Sequence, residues 1–463
     1  MSLTVEAAIP RQRVPLGQLR RRLTGTVHDA ADPAYAALVA PWNLAVPMQP
    51  QAVVAARTAA DVAAAVRFAG AHQLTVGVQA TGHGAVSTLA GDLLVATAGL
   101  DEVTVHPQGW ARVGAGVKWR RVIDAAAPYG LAPLNGSSSD VGVVGYTTGG
   151  GVGPMARTFG LAADRVRAFD VVTGDGVLRR VTPTRHAELF AALRGGKGAT
   201  GIVTAVEFDL VRLPEFYGGA VYFDGADAAA VVERWRRWSA ALPEAGTTPF
   251  VLFQLPPLPE VPPVLAGRMT LGVRFVWTGD PRQGAVLLDE LRAAAPVLLD
   301  DAAVRPYTEI DSVHADPVDP MPVHDTGMLL TGFTEATAAR LLALAGPGSG
   351  SPQVLVEVRQ LGGAYARPAA HSDTFAHRAA GYSLLAVGMD FDPTTRPHAQ
   401  RLFGALVEED TGGIWPNFGP AHDPRTARRA YDPAALARLT AVAGRYDPLG
   451  VLQAGRYLRD DLV

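Results

Sequence analysis

One short loop, with a histidine between two glycines, is the stretch of this sequence best suited to chemistry. Residues 79–85 read Gln-Ala-Thr-Gly-His-Gly-Ala and follow residues 74–78, whose alternation predicts a buried strand. Glycine lacks a Cβ, so a ligand can approach the backbone closely and several N–H groups can face an anion such as a pyrophosphate. His83 is then the most reactive side chain of the loop. The alternative is a tight turn with a surface histidine, since short glycine motifs recur by chance.

A second, longer stretch is also rich in glycine, so a ligand could approach its backbone closely. Residues 135–153 contain six glycines between Gly142 and Gly153, interleaved with hydroxyl residues. The spacing differs from the dinucleotide fingerprint, and no Gly-Lys-Ser/Thr follows as in a P-loop. So many glycines cost conformational entropy unless close approach requires them, which favours contact with a large polar ligand over a simple bend.

A third glycine loop, residues 194–201, lies between a helix predicted at 187–193 and a strand that begins at Ile202. A strand and a helix are also predicted before the first loop. A strand is predicted at 52–56, and Thr58 with Asp61 resembles a capping box that opens a helix ending near Ala69. Strand, helix and strand therefore place the His83 loop at the edge of an α/β unit.

Composition limits the function classes. The 463 residues suit two or three domains, and a net charge of −3 without a basic stripe argues against nucleic acid and anionic membranes as partners. The absence of cysteine excludes disulfides, thiolate metal sites and cysteine nucleophiles, and we expect no metal site. Residues 1–20 have no continuous apolar core, and no apolar run is long enough to span a bilayer, so the sequence predicts a cytoplasmic protein.

Taken together, the three loops resemble, in order and spacing, those of covalent-flavin oxidases of the vanillyl-alcohol-oxidase (PCMH-type) superfamily. The pattern is similar to the berberine-bridge-enzyme-like branch, and within it to bacterial members close to 6-hydroxynicotine oxidase. The resemblance covers roughly residues 50–210. Thr81-Gly82-His83 stands in place of the Gly-Gly-His whose histidine bonds to the flavin 8α-methyl group. Ser138 stands where bicovalent members have the cysteine that bonds flavin C6, and Lys197 replaces a glycine of the third loop.

The resemblance therefore implies FAD with a single covalent link through His83. Such a link should raise the flavin potential, while the protein supplies orientation and electrostatics. The implied FAD-binding residues lie in the three loops and at one position near the C-terminus: Ala80, Thr81, Gly82, His83, Gly84, Ala85, Ser138, Gly142, Gly145, Tyr146, Gly150, Gly153, Gly201, Val203 and Asn417.

The second half is predicted to form a largely antiparallel sheet backed by helices on one face. In the strand at 355–360, Leu355, Glu357 and Arg359 should share one face and Gln360 the other. The Gly-Gly turn that follows resembles the family's, which makes Gln360 a candidate for the flavin-facing side. The alternative is an ordinary polar residue of a sheet.

No carboxylate occurs between His377 and Met389, where plant members of the family carry a catalytic glutamate. This departure leaves Tyr382, or hydride transfer assisted by substrate ionisation, as alternatives to a carboxylate base. His324 and His377 are further candidate bases, although a lone histidine is more often structural.

Residues 415–418, Trp-Pro-Asn-Phe, match the family element that returns beside the flavin. The Asn417 amide would hydrogen-bond flavin or substrate. Trp415 replaces the usual tyrosine and would enlarge the apolar wall of the site. Gln360, Tyr382, Trp415 and Asn417 are therefore the candidate catalytic residues.

The predicted architecture is α+β, with a PCMH-type FAD-binding domain at 1–213, a substrate-binding domain at 214–415 and a return to the FAD domain at 416–463. The predicted function is an FAD-dependent oxidase that takes hydride from a small, hydrophobic or secondary-metabolite substrate and reduces dioxygen to hydrogen peroxide. A flavin dehydrogenase or oxygenating catalyst, or a flavin-binding protein without turnover, remains an alternative. The sequence makes no prediction of an oligomeric state.

Overall fold

The computed structural model describes residues 14–259, 261–418 and 424–459. The start of the predicted FAD domain, part of its C-terminal return and its last four residues lie outside these ranges. The strands are β1 Thr26–Asp29, β2 Ala52–Ala55, β3 Val76–Gln79, β4 Leu93–Ala96, β5 Val103–His106, β6 Trp110–Gly114, β7 Leu131–Ala132, β8 Val166–Val172, β9 Leu178–Val181, β10 Ile202–Asp209, β11 Val211–Arg212, β12 Glu215–Asp224, β13 Gly246–Thr247, β14 Pro249–Gln254, β15 Met269–Trp277, β16 Val297–Asp300, β17 Ala303–Pro306, β18 Val323–Leu330, β19 Gln353–Gln360 and β20 Tyr382–Met389.

The α-helices are mostly short in the first half and longer in the second. They are α1 Leu16–Arg20, α2 Tyr35–Val39, α3 Ala59–Ala71, α4 Trp119–Ala126, α5 Val143–Thr148, α6 Ala156–Phe159, α7 Ala187–Leu193, α8 Ala228–Ala241, α9 Pro281–Arg292, α10 Glu335–Ala345, α11 Thr395–Gly404, α12 Pro424–Arg428, α13 Pro433–Tyr446 and α14 Gln453–Leu458. Within the described ranges, no helix is both long and apolar enough to cross a membrane.

Two sheets form the first half of the chain. In the four-stranded sheet, of order β1-β2-β4-β3, strand β4 runs parallel to both β2 and β3. The five-stranded sheet, of order β5-β6-β10-β8-β9, is antiparallel. Helix α3 lies between the sheets, where Val66 packs with Val95 on one side and Ile202 on the other. Its alanine-rich sequence keeps the helix narrow, so both sheets can approach it.

A nine-stranded antiparallel sheet dominates the second half, with the main path β16-β12-β15-β14-β19-β20-β18. Helices α8 to α11 cover one face, and Trp235, Phe250, Leu341 and Leu402 belong to the core between helices and sheet. The other face turns toward the first half of the chain. The predicted α+β class, with an antiparallel sheet backed by helices, is confirmed.

The C-terminal segment contacts the first half again. Leu452 pairs with Val76 in a parallel bridge, and α13 packs against α7. Asp447 is fully buried and accepts the backbone N–H groups of Val451 at 2.7 Å and Leu452 at 2.9 Å. The division of the chain at 213/214 and 415/416 stays a prediction.

Local sequence accounts for the helix that precedes the first glycine loop. The predicted capping box is present, because Thr58 Oγ1 accepts Asp61 N–H and the Asp61 carboxylate accepts Thr58 N–H. Asp61 is 1% exposed and also accepts N–H groups of Thr24 at 2.7 Å, Gly25 at 3.2 Å and Arg57 at 2.9 Å. This one carboxylate therefore joins α3 to the segment before β1.

Asp61→Ala should lower the free energy of unfolding by about 2–4 kcal/mol, because several buried N–H groups lose their acceptor. Burial acts to raise the pKa of Asp61, but the donors Arg57, Thr24 and Thr58 outweigh it, so the pKa lies below its usual value. The carboxylate thus stabilises the fold above the unfolded-state pKa, and this contribution is lost as pH falls through the lowered folded-state pKa.

Chemical denaturation of Asp61→Ala at pH 7 and at pH 3 provides the measurement. The difference in the free energy of unfolding between Asp61→Ala and the unmutated protein should be smaller at pH 3 than at pH 7. Asp124→Ala, at an exposed carboxylate of α4, is the matched control. Equal stability of Asp61→Ala and Asp124→Ala at pH 7 would contradict the assignment.

Candidate functional site

The first glycine loop is held by close backbone packing. Gly82 has a φ of +77°, and a Cβ there would lie 2.5 Å from Pro41 Cα. Only glycine fits this approach without displacing backbone. The Trp42 ring stacks on His83, with centroids 5.0 Å apart and an interplanar angle of 15°. Trp42 was not identified from the sequence, because nothing in its local pattern marks a partner 41 residues away.

His83 is half-buried and its imidazole is neutral. Its Nδ1 lies 2.9 Å from Thr81 Oγ1, which leaves Nε2 for a ligand as far as the described residues are concerned. Burial lowers the pKa of His83 to about 4; nearby Asp140 opposes this effect and Lys118 adds to it. Those two residues pair with each other at 2.6 Å. An imidazole that is neutral at pH 7 has a free lone pair and can act as a nucleophile.

The second glycine loop meets the first beside this histidine. A Cβ at Gly142 would stand 3.5 Å from Thr81 Cγ2 and 3.6 Å from Ala80 Cβ. Ser138, at the start of the loop, accepts the Asp140 N–H at 3.3 Å. Two stretches about 60 residues apart in sequence thus form one site around His83.

Two glycines border open space. A Cβ added at Gly84 or at Gly145 would have no neighbouring atom within 4 Å. Gly145 lies in the short helix α5, within a stretch for which the sequence indicated only a glycine-rich loop. We call the backbone of residues 80–85 and 142–145, together with the space that it borders, the cradle. The phenolic oxygen of neighbouring Tyr146 is buried without a partner among the described residues.

The remaining predicted glycines pack against protein. A Cβ at Gly150 would lie 2.3 Å from the Phe375 ring, and one at Gly201 would lie 2.4 Å from Val171 Cγ2. At Gly153 it would lie 2.1 Å from Asn135 O. Val203 is part of the core of the first half. At these glycines the close approach is between segments of the protein. The predicted contacts of these residues and of Val203 with FAD stay predictions.

A lysine and an asparagine join the cradle to the C-terminal return. Lys197 Nζ donates to Gly145 O at 3.1 Å and to Asn417 Oδ1. Asn417 Nδ2 donates to Tyr146 O at 2.9 Å. Asn417 therefore borders the cradle, and its contact with flavin or substrate stays a prediction.

A small pocket lies between this corner and the large sheet. Strands β18, β19 and β20 and the segment at 415–418 line it, with Gly327, Met328, Leu329, Glu357, Arg359, Ser383, Leu384, Leu385, Trp415 and Phe418. Most of these residues are apolar. Trp415 is 4% exposed and donates its Nε1–H to Tyr365 OH at 3.0 Å.

The polar wall of the cavity belongs to a buried charge cluster. Arg274 donates to Glu357 Oε2 at 2.8 Å, and Arg359 donates to Glu357 Oε1 at 3.0 Å. His314 lies against both arginines; burial lowers its pKa well below the usual value, and the charges of Arg274 and Arg359 add to the effect. Arg359 Nη1 has no hydrogen-bond partner among the described residues. Glu357 and Arg359 are thus the charged groups of β19 that border the cavity.

The structure corrects the predicted orientation of two candidates. Gln360 donates to Ser239 O of α8 at 2.6 Å, so it faces the helices instead of the cavity. Tyr382 packs against Trp235 and Phe333, with centroid distances of 6.2 and 5.7 Å, on the same helix-covered side. The predicted alternation of β19 was right, but Glu357 and Arg359 occupy the face that the sequence had assigned to Gln360.

The two histidines proposed as alternative bases lie outside the cavity lining. His377 Nε2 lies 2.9 Å from Arg429 O, and burial is the main effect that lowers its pKa. His324 on β18 pairs with Gly388 and lies on the same face of the strand as Leu330, which belongs to the core between helices and sheet.

Comparison with known proteins agrees with a flavin site. A family model described as an FAD binding domain matches residues 50–182, a range that includes the His83 loop and the glycines from 142 to 153. (R)-6-hydroxynicotine oxidase of Paenarthrobacter nicotinovorans is 26% identical over 92% of this chain and 94% of its own length. FAD-dependent monooxygenase FUP4 of Fusarium proliferatum is 34% identical, but the match spans 37% of this chain and only 34% of that protein.

The whole architecture also has a solved counterpart. The berberine-bridge-like protein 1 of Physcomitrella patens superposes with a TM-score of 0.81 at 19% identity, over 97% of this chain and 99% of that one. At this identity the likeness concerns the fold alone. It extends the match beyond residues 50–182 to the large sheet and the C-terminal return.

Gly145→Leu should keep the fold and lose the cofactor. The site of the added side chain is open, and leucine favours a helix over glycine by roughly 1 kcal/mol, so apo-protein stability should not fall. The side chain would occupy the cradle, and we expect at least a tenfold lower flavin content after purification. Gly404→Leu, at another helical glycine with no neighbour within 4 Å, is the matched control. Normal flavin content in folded Gly145→Leu would contradict the placement.

Proposed function

We propose that this chain is a covalent-flavin oxidase of the berberine-bridge-enzyme-like branch of the vanillyl-alcohol-oxidase superfamily, acting on a small, largely apolar substrate; the match to an FAD binding domain and the similarity to (R)-6-hydroxynicotine oxidase support the proposal. The observation that carries the proposal is the neutral His83 in a glycine cradle, one side of which meets a mostly apolar cavity. The attachment group would therefore lie close to an apolar wall for the substrate.

His83 is the proposed attachment residue. Its Nε2 is available, while Thr81 and Trp42 hold the ring in place. Attachment replaces a C–H bond of the flavin 8α-methyl group and an imidazole N–H bond by one C–N bond. The two electrons and two protons released would pass to dioxygen as hydrogen peroxide. Ser138 offers no thiolate, so the proposed link is single.

Bound FAD would supply the redox chemistry, accepting hydride from a substrate C–H bond and passing two electrons to dioxygen. The residues of the chain would orient the reactants. Trp415 and Phe418 provide an apolar wall, and Arg359 Nη1 is a free donor for one polar group of the substrate. The cavity lining thus favours a mostly apolar molecule with a single acceptor.

Proton removal would not depend on Tyr382, which lies on the helix side of the sheet. Glu357 is the carboxylate in the cavity lining, but two arginines hold its oxygens. Its position favours electrostatic orientation of the substrate over general-base catalysis, since a base needs a free lone pair directed at the proton. Hydride transfer from an ionised substrate, one of the alternatives raised by the sequence, fits this arrangement.

Oxygenation is the second candidate function. FUP4, a relative with 34% identity over 37% of the chain, carries the name FAD-dependent monooxygenase. The two functions differ in the fate of the oxygen atoms. An oxidase releases both as hydrogen peroxide, whereas a monooxygenase places one in the product.

The covalent link is tested by acid precipitation of the purified protein. Flavin fluorescence should remain with the denatured polypeptide, and His83→Ala should release any flavin that it binds. His106→Ala, at a histidine stacked on Trp110 in the five-stranded sheet, should keep the covalent flavin. Complete release of flavin from the unmutated protein would rule out the link.

The oxidase assignment is tested by oxygen stoichiometry. A panel of aromatic alcohols and cyclic amines, including 6-hydroxynicotine, is first screened for anaerobic bleaching of the flavin. With a bleaching compound under air, one hydrogen peroxide should form per dioxygen consumed, and no label from ¹⁸O₂ should enter the product through oxygenation. Labelled product with little peroxide would favour the monooxygenase, and slow reoxidation by air would favour a dehydrogenase.

A further inference from the structure

Lys197 is an unusual residue for its backbone position. Its φ is +55°, in the left-handed region where a residue with a Cβ is strained by roughly 1 kcal/mol or more. Gly196 and Gly198 flank it, and the resembling family has glycine in its place. Glycine would avoid the strain, so the feature to explain is the lysine side chain.

Lysine itself is rare in this chain. Only two of the 41 lysine and arginine residues are lysines, Lys118 and Lys197, and both lie beside the cradle. Lys118 is paired with the Asp140 carboxylate. Arginine carries almost all the positive charge elsewhere, whereas a compact ammonium group is found at the two edges of the cofactor site.

The Lys197 ammonium group is not neutralised by the part of the chain that the structure describes. Its two acceptors, Gly145 O and Asn417 Oδ1, are uncharged, and no described carboxylate lies within 4 Å of Nζ. An ammonium group has three N–H donors, so one remains unused. Burial lowers the pKa of Lys197 to about 8. Lys197 is half-buried, and a partly desolvated cation without an anion is unfavourable, so an anionic ligand would offset this penalty.

The position of this group relates it to the reactive part of the cofactor. Asn417, its acceptor, lies between Trp415 and Phe418, and both of these line the cavity beneath the sheet. Gly145, its other acceptor, borders the open space of the cradle. Lys197 therefore lies where the cradle and the substrate cavity meet. Hydride transfer requires the flavin ring to contact the substrate, so the ring has to reach this junction.

We propose that the positive charge of the Lys197 ammonium group stabilises the negative charge of the two-electron-reduced isoalloxazine ring. The inference rests on the proposed function, since it requires bound FAD. When a substrate C–H bond delivers hydride, the substrate carbon is oxidised and the ring is reduced and gains negative charge. Lys197 keeps its proton and stabilises that charge, which makes reduction more favourable. The same cation would favour any adduct that leaves negative charge on the ring.

Three substitutions separate charge from strain. Lys197→Met removes the charge at similar length, Lys197→Arg retains it, and Lys197→Gly removes the charge and relieves the left-handed strain. Each variant is purified with its flavin, and the midpoint potential is measured by anaerobic reduction against indicator dyes. The second probe is sulfite, which adds to oxidised flavin and leaves an anionic ring. Neither readout requires turnover.

We expect Lys197→Met and Lys197→Gly to bind sulfite at least tenfold more weakly than the unmutated protein. The reduction equilibrium should shift by at least tenfold, a decrease of about 30 mV for two electrons. Lys197→Arg should keep most of the sulfite affinity and a midpoint potential close to that of the unmutated protein. If the methionine variant does not fold, the glycine variant still decides the question because its backbone is unstrained.

Three outcomes would overturn the inference. The first is that Lys197→Met and Lys197→Gly, at normal flavin content, have reduction equilibria and sulfite affinities within twofold of the unmutated protein. The ammonium group would then not stabilise negative charge on the ring. Folded Lys197→Met and Lys197→Gly without flavin, beside flavin-loaded Lys197→Arg, would assign the cation to the pyrophosphate instead. An unmutated protein that contains no flavin would overturn the proposed function, and this inference with it.

Discussion

The site depends on the close approach of backbone segments that are far apart in sequence. At Gly82 the first loop passes so near Pro41 that a Cβ would lie 2.5 Å from its Cα, and this contact brings Trp42 onto His83. The second loop reaches Thr81 through Gly142. A side chain at Gly82 would push the loop away from Pro41, and the histidine would lose the ring stacked on it. Glycine therefore positions the reactive group by permitting contacts, while Thr81 and Trp42 set its orientation.

Charge is distributed unequally across the site. On the sheet side, Arg274 and Arg359 share Glu357, and Arg274 also lies 3.7 Å from Asp316, so two cations face two carboxylates. Near His83, Lys118 and Asp140 form a second pair. Lys197 differs from these groups because its acceptors are neutral. Since burying an unpaired charge is more expensive than burying a pair, this corner is the part of the site where an anion is stabilised most.

The cradle could be predicted from the sequence because its chemistry is contained in short contiguous stretches. Three glycine loops identified the cofactor class, and Thr58 with Asp61 predicted the start of α3 correctly. The faces of β19 could not be assigned in the same way. Its alternation was predicted, but both faces are buried, with Val358 on one and Arg359 on the other. The two-residue alternation along β19 shows which residues share a face of the strand. Which of the two faces packs against helices is shown only by the position of α8.

The departures from the family pattern are as informative as the matches. Each of them changes chemistry at the site itself: Ser138 removes a second attachment point, Trp415 replaces a hydroxyl by an indole, and Lys197 adds a cation. The Trp415 indole still donates to Tyr365, so the lost hydroxyl is replaced by a hydrogen bond directed away from the cavity. Its apolar face is left for the substrate. In the proposed site, a single attachment of the flavin, an apolar wall and an ammonium group without a carboxylate partner would all act on the same ring, so the reactivity of the bound flavin would depend on these three positions together.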